Sequence, residues 1–330
     1  MWFLGKKSKK LNHLFFATDI HGSERTYRKF INAGKFYGVK NIVMGGDISG
    51  KLLIPIIKEA NRHCRATLQG TVQHLTTDDE LKQLQDKIGL LGFYYKIMDE
   101  DEYKALSADP AAVNRLFHEL ARKRLTEWVD LAETRLKGTG IRCFVTGGND
   151  DDPEVLEVIR DADRESFLAC EGKVVPIDDF HCMASVGFSN PTPWKTPREI
   201  PEEKLEGIIE DMCAKITDFR HAIFNFHVPP IDSTLDLCPK LDWTTDPPTP
   251  VMSGGQMVFV GAGSPSVRKA IEKYQPMMGL HVHIHEAQGM VKIGRTNCIN
   301  PGSEYGEGVL RGCLVSFADG VVVGFQMTRG

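Results

Sequence analysis

The feature that most constrains this chain is a short apolar run that stops abruptly at a polar, glycine-containing loop, and it occurs three times before residue 151. Leu14-Phe-Phe-Ala-Thr18 runs into Asp19-Ile20-His21-Gly22, and Asn41-Ile-Val-Met44 runs into Gly45-Gly46-Asp47. Ile141-Arg-Cys-Phe-Val-Thr146 runs into Gly147-Gly148-Asn149-Asp150. Helix-compatible sequence lies close behind, over residues 23–37 after the first run. That alternation predicts parallel strands crossed over by helices. In such sheets ligands gather beyond the carboxyl ends of the strands, which is where the polar loops fall.

The second and third runs are too far apart for a single crossover helix. The sequence between them predicts an inserted, cap-like segment at residues 65–138. It contains a strand-like piece at 66–75, an acid-rich helix start at Thr77-Asp-Asp-Glu80 and a long amphipathic helix over 110–137 carrying Leu116, Leu120, Leu125, Trp128, Leu131 and Leu136. Long insertions can carry function or only decorate a crossover, and both readings stand. After Pro153 the pattern turns to alternating strands at 173–177 and 181–188. A helix follows at 201–215, an apolar run at 222–226, a strand–helix unit through Gly261-Ala-Gly-Ser-Pro265, and a tail of short strands from 289 to 326. The expectation is one α/β core spanning residues 1–330 with one sizeable insertion.

Charge narrows the partners. The 40 basic and 44 acidic side chains leave a net charge of −4, which offers no broad basic surface for long nucleic acid. A small-molecule partner is the expectation, and oligomeric state is not readable. The eight cysteines form no Cys-x-x-Cys pair, a usage that fits a reducing compartment. Residues 1–10 place the apolar residues before Lys6, Lys7, Lys9 and Lys10, the reverse of a secretory leader. No apolar stretch reaches the ~20 residues needed to span a bilayer. A cytoplasmic protein is expected, with no membrane partner.

The polar residues at the run ends form one set: Asp19, His21, Asp47, Asn149, His227, His283 and His285. Carboxylates, imidazoles and an amide in these proportions suit hard-to-borderline divalent metals. In an extended chain the intervening residue of Asp19-Ile20-His21 and of His283-Ile284-His285 points away, so both ligands of each pair face one side. Adjacent glycines permit tight turns and close backbone approach. His221 and His227 flank one apolar strand, and His227 is chosen because it follows the strand end and precedes the loop at Val228-Pro-Pro230.

With Asp-x-His, Gly-Gly-Asp, Gly-Asn, a lone His and a final His-x-His in that order, the chain resembles the calcineurin-like metallophosphoesterase superfamily from residue 19 to about residue 305. The resemblance implies a two-sheet αββα sandwich, here with an α-rich insertion. It implies two divalent cations (Mn, Fe or Zn), one held by Asp19, His21 and His285 and the other by Asn149, His227 and His283, with Asp47 bridging. The implied activity is hydrolysis of a phosphate monoester or diester of a small molecule by a hydroxide shared between the cations. A non-catalytic metal-binding scaffold on the same fold is the alternative.

The sequence departs from the family pattern at two places. Val282 stands where the family has glycine, and His281 adds an imidazole that could replace a ligand. Asp150 follows Asn149 where many members have the histidine that protonates the leaving oxygen. Asp150 can serve as that acid only if its pKa is raised, and Asp151 and Asp152 are candidates for raising it. Alternatively it orients a ligand histidine. Three further features read as structural: Ser264 and Pro265 as a helix start, Asn300-Pro-Gly-Ser303 as a turn at the site floor, and Trp194, which either packs or stacks on an organic leaving group. Packing is the expectation for Trp194.

Overall fold

The structure, a computed structural model, describes residues 11–330. The leader reading at residues 1–10 lies outside the described residues.

Strand β1 (Asn12–Ala17) leads through the first polar loop into α1 (Glu24–Phe36), and β2 (Asn41–Met44) follows. The inserted region begins with β3 (Leu53–Lys58), earlier than residue 65. The stretch over 66–75 is a hairpin rather than one strand, β4 (Cys64–Leu68) and β5 (Thr71–Leu75). Its turn is Gln69-Gly70, both with positive φ (52° and 77°), the backbone a tight two-residue hairpin needs. Then come α2 (Asp78–Leu90), β6 (Tyr94–Met98), α3 (Glu100–Ser107) and α4 (Pro110–Leu136). Thr77 and Glu80 close a capping box on α2, as the acid-rich start suggests. The insertion therefore holds three helices together with a four-stranded sheet, β5-β4-β3-β6. β4 alternates apolar with polar and is legible as strand, whereas β3 (LIPIIK) and β6 (YYKIM) lack the clean alternation that would have announced them.

The core resumes with β7 (Arg142–Val145), α5 (Pro153–Arg160), β8 (Phe167–Ala169), β9 (Val174–Pro176), β10 (Cys182–Val186), α6 (Glu202–Cys213) and β11 (Ala222–Phe226). An excursion of short strands follows: β12 (Leu237–Pro239), β13 (Leu241–Asp242), β14 (Thr249–Pro250), β15 (Met252–Ser253), β16 (Gln256–Met257) and β17 (Phe259–Gly261). The chain ends with α7 (Pro265–Tyr274), β18 (Met278–Leu280), β19 (Gly289–Ile293), β20 (Thr296–Asn300), β21 (Arg311–Ala318) and β22 (Val321–Arg329).

Two six-stranded sheets, β22-β21-β1-β2-β7-β8 and β19-β20-β18-β11-β10-β9, stack face to face. In the first, β1, β2, β7 and β8 are parallel. In the second, β10, β11, β18 and β20 are parallel. The alternation along each strand divides its side chains between two cores. Leu14, Phe16, Val43 and Phe144 face Met183, Ile223, Met278 and Leu280 between the sheets. Phe15, Ile42, Met44 and Val145 turn outward onto Tyr27, Phe30 and Trp128 of α1 and α4. Ala184, Phe224 and Phe226 meet Leu205, Ile209, Val267 and Ile271 of α6 and α7 on the other outer face. The result is the expected α/β two-sheet sandwich with helices outside. All eight cysteines are free thiols. Among the described residues no helix is long and apolar enough to cross a membrane.

Candidate metal centre

Strands β1, β2 and β7 of one sheet and β11 and β18 of the other all end at the same edge of the sandwich. Their five following loops bring Asp19, His21, Asp47, Asn149, His227, His283 and His285 together. His285 Nε2 is 2.9 Å from Asp19 Oδ1 and 3.3 Å from His21 Nε2. Asp47 Oδ2 lies between the two halves of the cluster, 3.8 Å from His21 Nε2 and 3.5 Å from His227 Nε2. His227 Nε2 is 2.9 Å from Asn149 Oδ1, and the rings of His227 and His283 meet edge to face with centroids 5.5 Å apart. Asp19, His21 and His285 form one group able to hold a cation, and Asp19, Asp47 and His227 form a second.

The backbone that achieves this is not the extended chain expected from i, i+2 spacing. Asp19, His21, Asp47 and His283 all adopt left-handed conformations, with φ of 49°, 39°, 48° and 62°. Such positions cost roughly 1–3 kcal/mol each for a residue with a side chain and persist only where their surroundings impose them. Here hydrogen bonds past the strand ends impose them: Asp19 N to Gly46 O at 3.0 Å, His21 N to Asp47 O at 2.9 Å and Gly22 N to Ile48 O at 2.8 Å. Ser303 Oγ donates to the Asp19 carbonyl at 2.7 Å, and Asn300 Nδ2 donates to the Ile284 carbonyl at 2.9 Å. The Asn300-Pro-Gly-Ser303 turn thus ties the first loop to the last. Close approach requires glycine at two places. A Cβ on Gly46 would lie 2.7 Å from His227 Nδ1, and one on Gly148 would lie 2.0 Å from Asp47 Oδ1.

His281 does not line the cleft. Its Nδ1 donates to the Phe226 carbonyl at 2.8 Å and the ring is fully buried beneath the loop. Burial lowers its pKa to about 4. His221 lies away from the cluster, paired with Asp218. Ser264 caps α7 by accepting from Val267 N, and the Glu202 carboxylate accepts from Ser264 Oγ and Ser266 N. An acidic side chain therefore already occupies that helix start, which makes it a cap rather than a phosphate cradle.

The charge states follow from burial set against neighbours. Burial alone would raise the Asp19 and Asp47 carboxyls, but the facing imidazoles outweigh it. His227 and His285 lower Asp19, and His227 and His21 lower Asp47 well below its usual value, so both stay ionised. His21 is driven well below its usual pKa by burial and then by Lys51. His283 falls to about 4 through burial and the neighbouring His227. His227 goes the other way. Burial opposes its charge, yet Asp47 and Asp19 lift it to about 9. Both its ring nitrogens face acceptors, the Gly45 carbonyl at 3.0 Å and Asn149 Oδ1 at 2.9 Å, which suits a doubly protonated ring.

Asp150 lies at the mouth of the cluster. Its carboxyl is raised by burial and by Asp47, against the opposing pull of Lys51, whose Nζ is 2.6 Å from Oδ2. Asp151 and Asp152 do not raise it. Asp151 points inward and accepts from Ile48 N, Ser49 N and Gly148 N, bracing the Asp47 loop against the Asn149 loop. Asp152 caps α5 through Glu154 N. His21 Nδ1 is 3.7 Å from Asp150 Oδ2, too long for the orienting hydrogen bond considered above. Sequence reasoning missed Lys51 and Tyr305. The Tyr305 ring sits 4.6 Å from that of His21. Lys51, a lone cation four residues past Asp47 in a glycine-rich loop, carried a faint signal, and Tyr305 carried none.

The insertion buttresses the centre from behind. Gly92 packs so closely that a Cβ there would lie 1.8 Å from the His21 carbonyl oxygen. Arg124 Nη1 on α4 donates to the Gly22 carbonyl at 2.9 Å, and Tyr94 Oη accepts from Gly50 N at 2.8 Å. In front, a cleft of about 900 Å³ opens from Asp47, Asn149, His283 and His285 past Lys51 and Asp150 to Trp194, Leu241, Trp243 and Pro250. A smaller cavity of about 370 Å³ beside α5, lined by Leu156, Ile159, Phe188 and Arg198 among others, receives none of the histidines.

No family model matches the chain. The chain is 29% identical over 157 residues to the uncharacterized protein MJ1162 of Methanocaldococcus jannaschii, a match covering 47% of this chain. It spans 61% of the length of that curated relative. Among solved structures, one crystal structure superposes with a TM-score of 0.54 at 13% identity, covering 97% of this chain and 99% of its own. TT1561 of Thermus thermophilus superposes with a TM-score of 0.49 at 11% identity, covering 94% of this chain and 99% of its own. At 13% identity the first of these solved structures establishes a shared fold across the chain.

Proposed function

We propose that this protein is a metal-dependent phosphoesterase acting on a small-molecule phosphate ester. The observation that carries the reading is the convergence, from five loops on two sheets, of four imidazoles, two buried ionised carboxylates and an amide around Asp47. The donor set fits divalent cations. His21 and His283 are neutral and the carboxylates charged, the states ligation requires, and the His21 and His285 nitrogens, 3.3 Å apart, are close enough to share one cation in place of the hydrogen bond between them. Asp19, His21 and His285 would hold one cation and Asn149, His227 and His283 another, with Asp47 shared between them. Two such ions would acidify a water and neutralise phosphate oxygens.

The chain's own groups supply the rest. Lys51 and Asp150 are paired at the cleft wall, Nζ to Oδ2 at 2.6 Å. In this reading an incoming phosphate oxygen would draw Lys51 away from that pair, and Asp150, losing its counter-charge beside Asp47, would take up a proton and pass it to the leaving oxygen. Asn149 is held by a hydrogen bond from its Nδ2 to Thr196 Oγ1 at 2.7 Å, which leaves its Oδ1 aimed at the cluster. Chelator-treated protein given Mn²⁺ is expected to hydrolyse 4-nitrophenyl phosphate or bis(4-nitrophenyl) phosphate. Two equivalents of bound metal with no turnover of either ester would favour the scaffold reading and overturn this one.

Ion binding is expected to be linked to protons. His227 carries its extra proton below about pH 9 and must lose one to become a ligand. Adding Mn²⁺ at pH 7 should therefore release at least one proton, and apparent affinity should climb about tenfold per pH unit before levelling near pH 9. Titration calorimetry in two buffers of different ionisation enthalpy reads the proton count. A count of zero at pH 7 would remove His227 from the ligand set.

A further inference from the structure

A phosphate held at the ions would occupy only a small part of the 900 Å³ cleft, a volume ordinarily matched to a whole organic ligand. The far wall is aromatic. Trp194 and Trp243 come from loops distant in sequence and meet edge to face, ring centroids 5.2 Å apart at 70°. Trp194 packs only in part: it meets Trp243, yet it remains 63% exposed, and Trp243 remains 47% exposed. A tryptophan pair left this open beside a chemical site has a large uncovered apolar surface.

The loop carrying Trp194 is rigid for identifiable reasons. Glu199 accepts from Thr192 N at 2.9 Å, from Thr196 N at 2.9 Å and from Thr196 Oγ1 at 2.8 Å, closing residues 192–199 around one carboxylate. Thr196 in turn receives the Asn149 side chain. Trp194 is thus two residues from a direct contact to the ion cluster. Trp243 is presented by β13, where Asp242 Oδ1 accepts from Thr244 N at 2.9 Å. Two indoles at a steep angle form a corner, a shape that receives one planar ring against a face and an edge.

We infer that this corner is a subsite for a planar aromatic group carried by the substrate, so that the physiological ester is a nucleotide or another aryl-bearing phosphate rather than a sugar or glycerol phosphate. The inference rests on the proposed phosphoesterase reading for the ion end of the cleft, but not for the aromatic end. Stacking of a base on an aromatic side chain is typically worth about 1–3 kcal/mol, a preference of about fivefold to about a hundredfold in affinity.

The test compares adenosine 5′-monophosphate with ribose 5-phosphate, which share the phosphate and the ribose and differ in the base. Binding is followed by tryptophan fluorescence and calorimetry on full-length protein supplied with Mn²⁺, using the non-hydrolysable phosphonate analogue of each compound so that no turnover intervenes. The adenosine compound is expected to bind at least about fivefold tighter and to quench fluorescence. Trp194→Ala and Trp243→Ala, assayed separately, should each shrink that preference to within about threefold while leaving ribose 5-phosphate binding unchanged. Equal affinity for the two probes, no detectable binding of the adenosine compound, or a preference that survives both substitutions would overturn the inference. So would variants that alter only the protein's assembly state in solution, which would mark the tryptophans as a partner surface. A base preference in a protein that hydrolyses no ester with Mn²⁺ leaves this subsite standing and removes the phosphoesterase reading. Mn²⁺-dependent hydrolysis without a base preference does the reverse.

Discussion

Asp47→Asn is expected to lower kcat/KM for Mn²⁺-dependent ester hydrolysis by about a thousandfold or more, because several kcal/mol of charge stabilisation pass through the shared carboxylate. The substitution keeps shape and the hydrogen bond from Asp150 N, which now ends on Asp47 Oδ1 at 2.9 Å. It removes only the charge that faces His21 and His227. In ion-free protein that loss is mild, since His227 then gives up its extra proton and no buried cation is stranded. The variant should therefore melt close to the parent after chelator treatment yet gain little from added Mn²⁺. Activity within about tenfold of the parent at saturating Mn²⁺ would show that the charge on Asp47 is not central, and the two-ion proposal would fall with it.

Gly148→Ala is expected to damage fold and site together. The added methyl would lie 2.0 Å from Asp47 Oδ1 and 2.4 Å from Asp47 N. Rotating the carboxylate relieves only the first of these clashes. The second is with backbone, so the Asp47 loop itself must move. Overpacking of this kind costs about 1–3 kcal/mol and sometimes more, and a backbone clash belongs at the upper end. A displacement of about 1 Å at a reacting group can cost about a hundredfold in rate. Thermal unfolding and a rate assay should both register the change. Gly207→Ala on α6 is the control: nothing lies within 4 Å of its added Cβ, and it should leave activity unchanged and add up to about 1 kcal/mol of stability. A Gly148→Ala protein as stable and active as the control would contradict the tight seating of Asp47 described above.

The parallel strands and the loops that end them were legible because burial on both faces demands continuous apolar runs, and such runs end visibly at Asp19, Asp47 and Asn149. The same logic placed His227 after its strand. The local geometry was not legible. Spacing suggested an extended Asp19-Ile20-His21, whereas the left-handed turns there are imposed by hydrogen bonds donated to the Gly46, Asp47 and Ile48 carbonyls, partners a linear pattern does not reveal. Asp151 looked like a neighbour of Asp150 and proved to face the opposite way, because a turn separates the directions of consecutive side chains. The four-stranded sheet of the insertion escaped because β3 pairs with β6, a strand far along the chain from it. Lys51, Tyr305 and Trp243 are single residues whose relevance exists only after folding.

The cluster draws Asp19, His21, Asp47 and Asn149 from one layer of the sandwich and His227, His283 and His285 from the other. A sandwich is most easily sheared along the seam between its layers, and at this edge the seam is crossed by imidazoles and carboxylates rather than by aliphatic side chains. A ligand bound across it acts as a rivet: whatever fills the gap restrains one sheet from sliding over the other. If the centre holds the proposed cations, its occupancy becomes a mechanical property of the whole molecule, and their depletion would loosen the architecture as well as silence the proposed chemistry.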